Sequence, residues 1–109
     1  MADRRLALMA AVLIIAPATA LAAGPVPPGR QAELEHMVTQ DCGSCHGLTM
    51  RGGLGPAITP ADLEGRDPQG LALIILDGVP GTAMPPWRPL LTETDAIWIA
   101  EYLLRKDEP

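Results

Sequence analysis

Residues 41–47 read "DCGSCHG" and set Cys42, Cys45 and His46 in the pattern Cys-x-x-Cys-His. Thiolates and an imidazole can hold a metal, two thiols at this spacing can exchange disulfides, and the same pentapeptide can carry a covalently attached haem. A structural zinc site takes four protein ligands, usually as two pairs at short spacing. The chain has two cysteines in all, and its one other histidine, His36, stands alone in the preceding segment. Thiol exchange motifs sit at the start of a helix that follows a strand, where the dipole lowers a thiol pKa. Here the pair follows a helical pattern, and no strand pattern is present. A plain disulfide would close a very small ring and leave His46 without a role. Haem attachment uses all three residues: Cys42 and Cys45 add to the two vinyl groups, and His46 is carried beneath the iron as an axial ligand.

An electron-transfer haem takes a second axial ligand, and a methionine sulfur there favours the ferrous state and raises the potential. Met84 lies 38 residues beyond His46 in "GTAMPPW", a proline-rich stretch long enough to cross to the opposite haem face. A lone methionine in a helix would read as core filler; the flanking prolines argue against that here. Met50 is too close to His46, Met37 lies on the preceding helix, and His36 is the competing candidate, read as a surface residue. Iron held by His46 and Met84 has no open position for a substrate, so the expected chemistry is electron transfer without catalysis.

The elements that must position these residues are helical. The first helix is expected from about Gln31 to Gln40, with Leu34, Met37 and Val38 at i, i+3 and i+4. "GLTMRGGLGPAITP" has no period of either kind and reads as a wrapping loop. "TPADLEG" carries a cap and a proline and predicts a short helical turn. A second helix is expected from Asp67 to a stop at Gly78, with Leu71, Ile74 and Ile75 on one face. "VPGTAMPPWRP" holds four prolines and cannot be regular. The last helix is announced by Thr92 and Asp95, a variant of the capping box, with Arg105 and Lys106 in its last turn. The expected fold class is all-α, with three main helices and irregular connections.

Residues 1–22 have the layout of an export signal: Arg4 and Arg5, an apolar run, and small residues that permit cleavage after Ala20 or Ala22. Residues 6–23 carry no charge and are about as long as the shortest spanning helix, so an uncleaved anchor is the alternative. Residues 23–30, rich in proline and glycine, read as a linker, and 31–109 as the domain. Of the 109 residues, none is phenylalanine, and the aromatic residues are Trp87, Trp98 and Tyr102. So small a domain buries only about 60% of its unfolded surface, and a large apolar cofactor would complete its interior. The net charge of −5 argues against nucleic acid, whose phosphates demand a basic face.

On "CGSCHG", Gly55-Pro56, "AMPPW" around Met84 and the aliphatic-aromatic last helix, residues 31–106 resemble the class I cytochromes c. The resemblance implies one covalently attached haem c, wrapped by three main helices. It also implies that the Pro56 carbonyl accepts a hydrogen bond from the far nitrogen of His46, and that Ile58, Trp87 and Trp98 pack on or near the macrocycle. Arg88 or a tryptophan indole is expected to serve the haem propionates. "QDCGSCHGLTMRGGLGP" and "GVPGTAMPPWRPLLTETDAIWIAEYL" resemble the NirC-type (c55X) cytochromes, small periplasmic proteins associated with haem-d1 nitrite reductase. The implied role is a periplasmic monohaem electron carrier, with haem-d1 nitrite reductase as partner. The alternatives are a redox or assembly role in haem d1 maturation, or donation to another periplasmic reductase or oxidase. One departure stands out: the glycine and the aromatic residue that many class I cytochromes place eight and four residues before the first cysteine are Leu34 and Val38 here.

Overall fold

The computed structural model describes residues 13–16 and 25–105. The expected export signal, residues 1–22, lies outside the described residues apart from 13–16, as do residues 106–109.

Pro27 is extended and Pro28 occupies the first helical position, where its missing N–H is not needed and its φ is already helical. Helix α1 (Pro28–Met37) therefore begins before the expected Gln31. Val26 is buried, and the Gln31 side chain donates to its carbonyl at 2.9 Å. Residues 26–30, expected as linker, are thus built into the domain.

Nor does the helical path end at Gln40. It passes through a π-helical turn, Val38–Cys42, in which the Gly43 N–H reaches the Val38 carbonyl five residues back, and continues as α2 (Gly43–His46). A π turn admits an extra residue and re-aims the side chains that follow. Leu34 and Val38 stay in the core, at 0% and 1% exposure, while Cys42, Cys45 and His46 line a cavity. The irregularity was not legible in the sequence because it leaves the apolar stripe of α1 unbroken.

The segment 60–65 is a sequence of turns rather than the expected helical turn, closed by Thr59 and Asp62 through reciprocal side-chain-to-backbone bonds. Helix α3 (Pro68–Asp77) is capped by Asp67, which accepts from the Gly70 N–H at 2.8 Å, and stops at Gly78. It has two working faces. Ala72 and Leu76 are buried in the core, and Leu71, Ile74 and Ile75 line the cavity. Helix α4 (Glu93–Arg105) carries the expected capping box: Asp95 N–H donates to Thr92 Oγ1 at 3.0 Å, and Thr92 N–H to Asp95 Oδ2 at 3.1 Å. No strand is present among the described residues.

Helix α4 packs chiefly on α3 and crosses α1. Ala96, Ile99, Ala100 and Leu103 from α4 join Leu34 and Val38 in one buried cluster. Trp98 and Tyr102 stack with ring centroids 5.2 Å apart, on the flank of α4. Burial, and then the Glu35 carboxylate, push the Tyr102 hydroxyl up.

An ion pair ties the start of α1 to the start of α4. Arg30 Nη2 lies 2.8 Å from Asp95 Oδ2, and Nη1 lies 2.8 Å from Glu33. The Asp95 side chain is only 9% exposed. The Arg30 guanidinium holds its carboxyl below the usual carboxylate range, despite burial. A carboxyl lowered in this way contributes stability that is complete above the unfolded value of about 4 and fades as pH falls below it. Asp95→Ala is expected to lose the cap and the pair together, at a cost of about 1–3 kcal/mol at neutral pH. In denaturant titrations at pH 7 and pH 3, the gap between the two proteins should narrow at the lower pH.

Candidate functional site

A cavity of about 620 Å³ opens between α2, the loop 54–66, α3 and the segment 79–87. Most of its wall is aliphatic, with Ile58, Leu63, Leu71, Ile75 and Leu103 among its residues. Neither cysteine is in a disulfide, and both are half-buried at this wall. Burial, with the Asp41 carboxylate adding to it, pushes the Cys42 thiol up to about 11.

The imidazole of His46 is held from both sides. Its Nδ1 lies 2.7 Å from the Pro56 carbonyl oxygen, so Nδ1 carries the proton and donates, leaving Nε2 as the free lone pair. A Cβ at Gly55 would stand 2.9 Å from Cε1 and Nδ1 of the ring, so only glycine lets the backbone lie against it. The Gly55 N–H donates to the Cys45 carbonyl, and the Gly52 N–H to the His46 carbonyl, each at 2.8 Å. The loop is therefore stitched to α2 by its backbone at both ends of the ring. The hydrogen bond implied for Pro56 by family resemblance is present in the geometry.

Met84 lines the same cavity as His46, from the opposite end of the chain's path. Its segment has no regular structure; at one end it closes on itself, and at the other it is pinned to the end of α3. At one end the Val79 N–H donates to the Met84 carbonyl at 3.3 Å. At the other, the N–H groups of Trp87 and Arg88 donate to the carbonyls of Ile75 and Leu76 at 3.2 and 3.1 Å. These carbonyls belong to the last turn of α3, which has no further helical donors. Arg88 adds bonds of 2.9 and 2.7 Å to Asp77.

Of the residues singled out from the sequence, Cys42, Cys45, His46, Pro56, Ile58, Met84 and Trp87 all line the cavity. Trp98 does not. Its indole stacks on Tyr102, because α4 turns Leu103 toward the cavity, and Trp98 lies five positions earlier on a different face. Arg88 is also outside the lining and is engaged by Asp77. Arg66 is the cationic side chain in the wall, next to Asp62 in the lining, and it makes no ion pair with a described residue. Nothing in the local sequence marks it, since its neighbours form a plain turn. His36 is exposed on α1, and Met50 is buried in the core; neither lines the cavity.

A flat, largely apolar macrocycle fits what these residues provide: an aliphatic chamber, two cysteine side chains about one helical turn apart, and an imidazole whose one free nitrogen is Nε2. A helical chain folded around such a chamber is a class I cytochrome c, and it carries covalently attached haem c. Residues 29–103 match the family described as cytochrome c oxidase, cbb3-type, subunit III. The chain is 60% identical over 102 residues to cytochrome c55X of Paracoccus denitrificans (strain Pd 1222), covering 94% of this chain and 98% of that one. The solved structure of a c-type cytochrome NirC matches with a TM-score of 0.71 and 48% identity, over 74% of this chain and 95% of that one. This chain therefore belongs to the class I cytochromes c of the NirC, or c55X, type. It is also 31% identical to dihydro-haem d1 dehydrogenase of Pseudomonas aeruginosa (strain PAO1), over 83% of this chain but only 18% of that protein.

The close approach at Gly78 makes the Met84 segment sensitive to a single methyl group. Gly78 has φ +67, and a Cβ there would lie 2.7 Å from the Met84 carbonyl oxygen and 2.8 Å from the Pro86 nitrogen, both backbone atoms. Gly78→Ala is expected to destabilise the protein by about 1–3 kcal/mol and to displace the Met84 segment. Denaturant unfolding, read together with the NMR shift of the Met84 methyl group, checks both.

Proposed function

We propose that this protein is a periplasmic carrier of single electrons in the haem-d1 nitrite reductase system, with Cys42 and Cys45 as the thioether anchors and His46 and Met84 as the axial ligands. The observation that carries this reading is that His46 and Met84 line one cavity, so that a metal held between them has no position left for a substrate. The bound haem supplies a one-electron ferric/ferrous couple. The chain's own residues do the rest: Pro56 orients His46 and strengthens it as a donor, the aliphatic wall excludes water, and the pinned segment 79–88 presents Met84. Support for the nitrite reductase system comes from the names of the relatives. Support for the periplasm comes from the signal pattern of residues 1–22; no helix among the described residues is long and apolar enough to cross a membrane.

Met84→Ala is expected to lower the midpoint potential and to let cyanide or imidazole bind the ferric protein rapidly, because the sulfur donor is gone. Redox titration and ligand-binding spectra check this; unchanged values would place another residue at the sixth position.

The segment around Met84 exposes Pro80, Gly81 and Pro86 outside the cavity lining, and its one charge, Arg88, is neutralised by Asp77. A partner reaching the haem here meets an apolar surface with weak steering. The test is stopped-flow mixing of the reduced protein with haem-d1 nitrite reductase and nitrite. Rapid oxidation of the whole population is expected, with a rate that changes no more than about three-fold from low to physiological salt. Protein that stays reduced beside an active reductase would remove this acceptor.

A second reading is favoured by the likeness to dihydro-haem d1 dehydrogenase. Dehydrogenation releases electrons, and a carrier resembling part of that enzyme is suited to take them during haem d1 maturation. Reduction of the ferric protein by that dehydrogenase and its substrate, with no transfer to the nitrite reductase, would establish this reading in place of the first.

A further inference from the structure

Met50 is the one non-glycine residue with a left-handed backbone among the described residues, at φ +60, and its side chain is 1% exposed. The same loop uses glycine for its other left-handed positions, Gly47 at φ +86 and Gly52 at φ +106. A methionine in this conformation is strained where glycine would not be. The strain persists because burial in the core cluster holds the side chain in place.

The backbone of Met50 is tied at both ends. Its N–H donates to the Gly47 carbonyl at 2.9 Å, and its carbonyl accepts from the Ile58 N–H at 2.8 Å. Ile58 stands two residues beyond Pro56, whose carbonyl accepts from Nδ1 of His46 at 2.7 Å. The Pro56 carbonyl thus hangs between two anchors. On one side Gly55 is bonded to the Cys45 carbonyl at 2.8 Å, an anchor that moves with α2. On the other side Ile58 is bonded to Met50, an anchor fixed in the core. No other described backbone bond reaches residues 56–58.

We propose that Met50 is a positioning residue for His46: its buried side chain holds a strained turn whose carbonyl, through Ile58, sets the Pro56 oxygen against Nδ1–H. This rests on the reading of His46 as the haem ligand. A strong bond from Nδ1–H to a carbonyl makes the imidazole a better donor, and a better donor favours ferric iron. Weakening the Met50 anchor therefore raises the potential.

The experiment compares haem-loaded wild type with Met50→Leu, Met50→Ile and Met50→Ala. The readouts are the midpoint potential and, by NMR of the ferrous protein, the exchange rate of the His46 Nδ1 proton with solvent. Leucine keeps the apolar bulk with an unbranched Cβ and is expected to match wild type in both. Isoleucine has similar bulk, but its branched Cβ resists the left-handed turn. Alanine loses the buried side chain. Both are expected to raise the potential and to speed proton exchange at least ten-fold.

A folded Met50→Ala or Met50→Ile protein with wild-type values overturns the proposal, as does a Met50→Leu protein that shifts as far as the isoleucine variant. If the alanine variant fails to take up haem, the leucine and isoleucine pair decides. His46→Ala tests the underlying reading separately: retention of the low-spin spectrum in that protein would remove His46 as ligand, whatever the Met50 variants show.

Discussion

The domain is built around a chamber of macrocycle size, and the rest of the structure answers to that constraint. A chain this short has little apolar surface to bury, and it has divided that surface between two tasks. One set, centred on Leu34, Val38, Leu76, Ile99 and Ala100, closes a solid core where α1, α3 and α4 meet. The other, with Leu63, Leu71, Ile75 and Leu103, faces a cavity of about 620 Å³. Several residues serve both, since Leu71, Ile75 and Leu103 belong to the cluster and to the wall. The lining of that chamber takes its dispersion contacts from the covalently attached haem c, which is therefore part of the hydrophobic core as well as the redox group.

Around that chamber, backbone hydrogen bonds do most of the positioning. His46 is set by the Pro56 carbonyl and by the bare backbone of Gly55. The segment bearing Met84 is set by its own N–H groups, donated to carbonyls that the end of α3 leaves unused. Ion pairs play a smaller part. Arg88 and Asp77 are both about half exposed, and such pairs contribute about 0–1 kcal/mol. The pair of Arg30 with the shielded Asp95 is the exception, because Asp95 also caps α4 and so couples the start of one helix to the start of another.

Much of this was legible in the chain. The Cys-x-x-Cys-His turn, the helix start at Asp67, the capping box of Thr92 with Asp95, and the proline-rich segment around Met84 are local signals, and local signals survive without a partner in space. The departures have physical reasons. Pro28 starts α1 early because a proline-rich stretch can be a linker or a helix start, and burial of Val26 decides between them. Trp98 was expected on or near the macrocycle from the family resemblance, and it does not line the chamber. Its place on the flank of α4 follows from helix rotation, which is set by packing on α3.

What the sequence determined by itself is the chemistry: two thiols and an imidazole at a spacing that attaches haem, and a methionine far enough along to meet it. Tertiary structure alone decided which other side chains reach the chamber. Arg66 and not Arg88 stands in its wall, and the π turn at Val38–Cys42 re-aims the attachment turn without disturbing the apolar stripe before it. The reason is that spacing along the chain constrains neighbours within a turn or two, whereas the wall of a cavity is assembled from elements tens of residues apart. Their relative rotation is fixed only when the core closes.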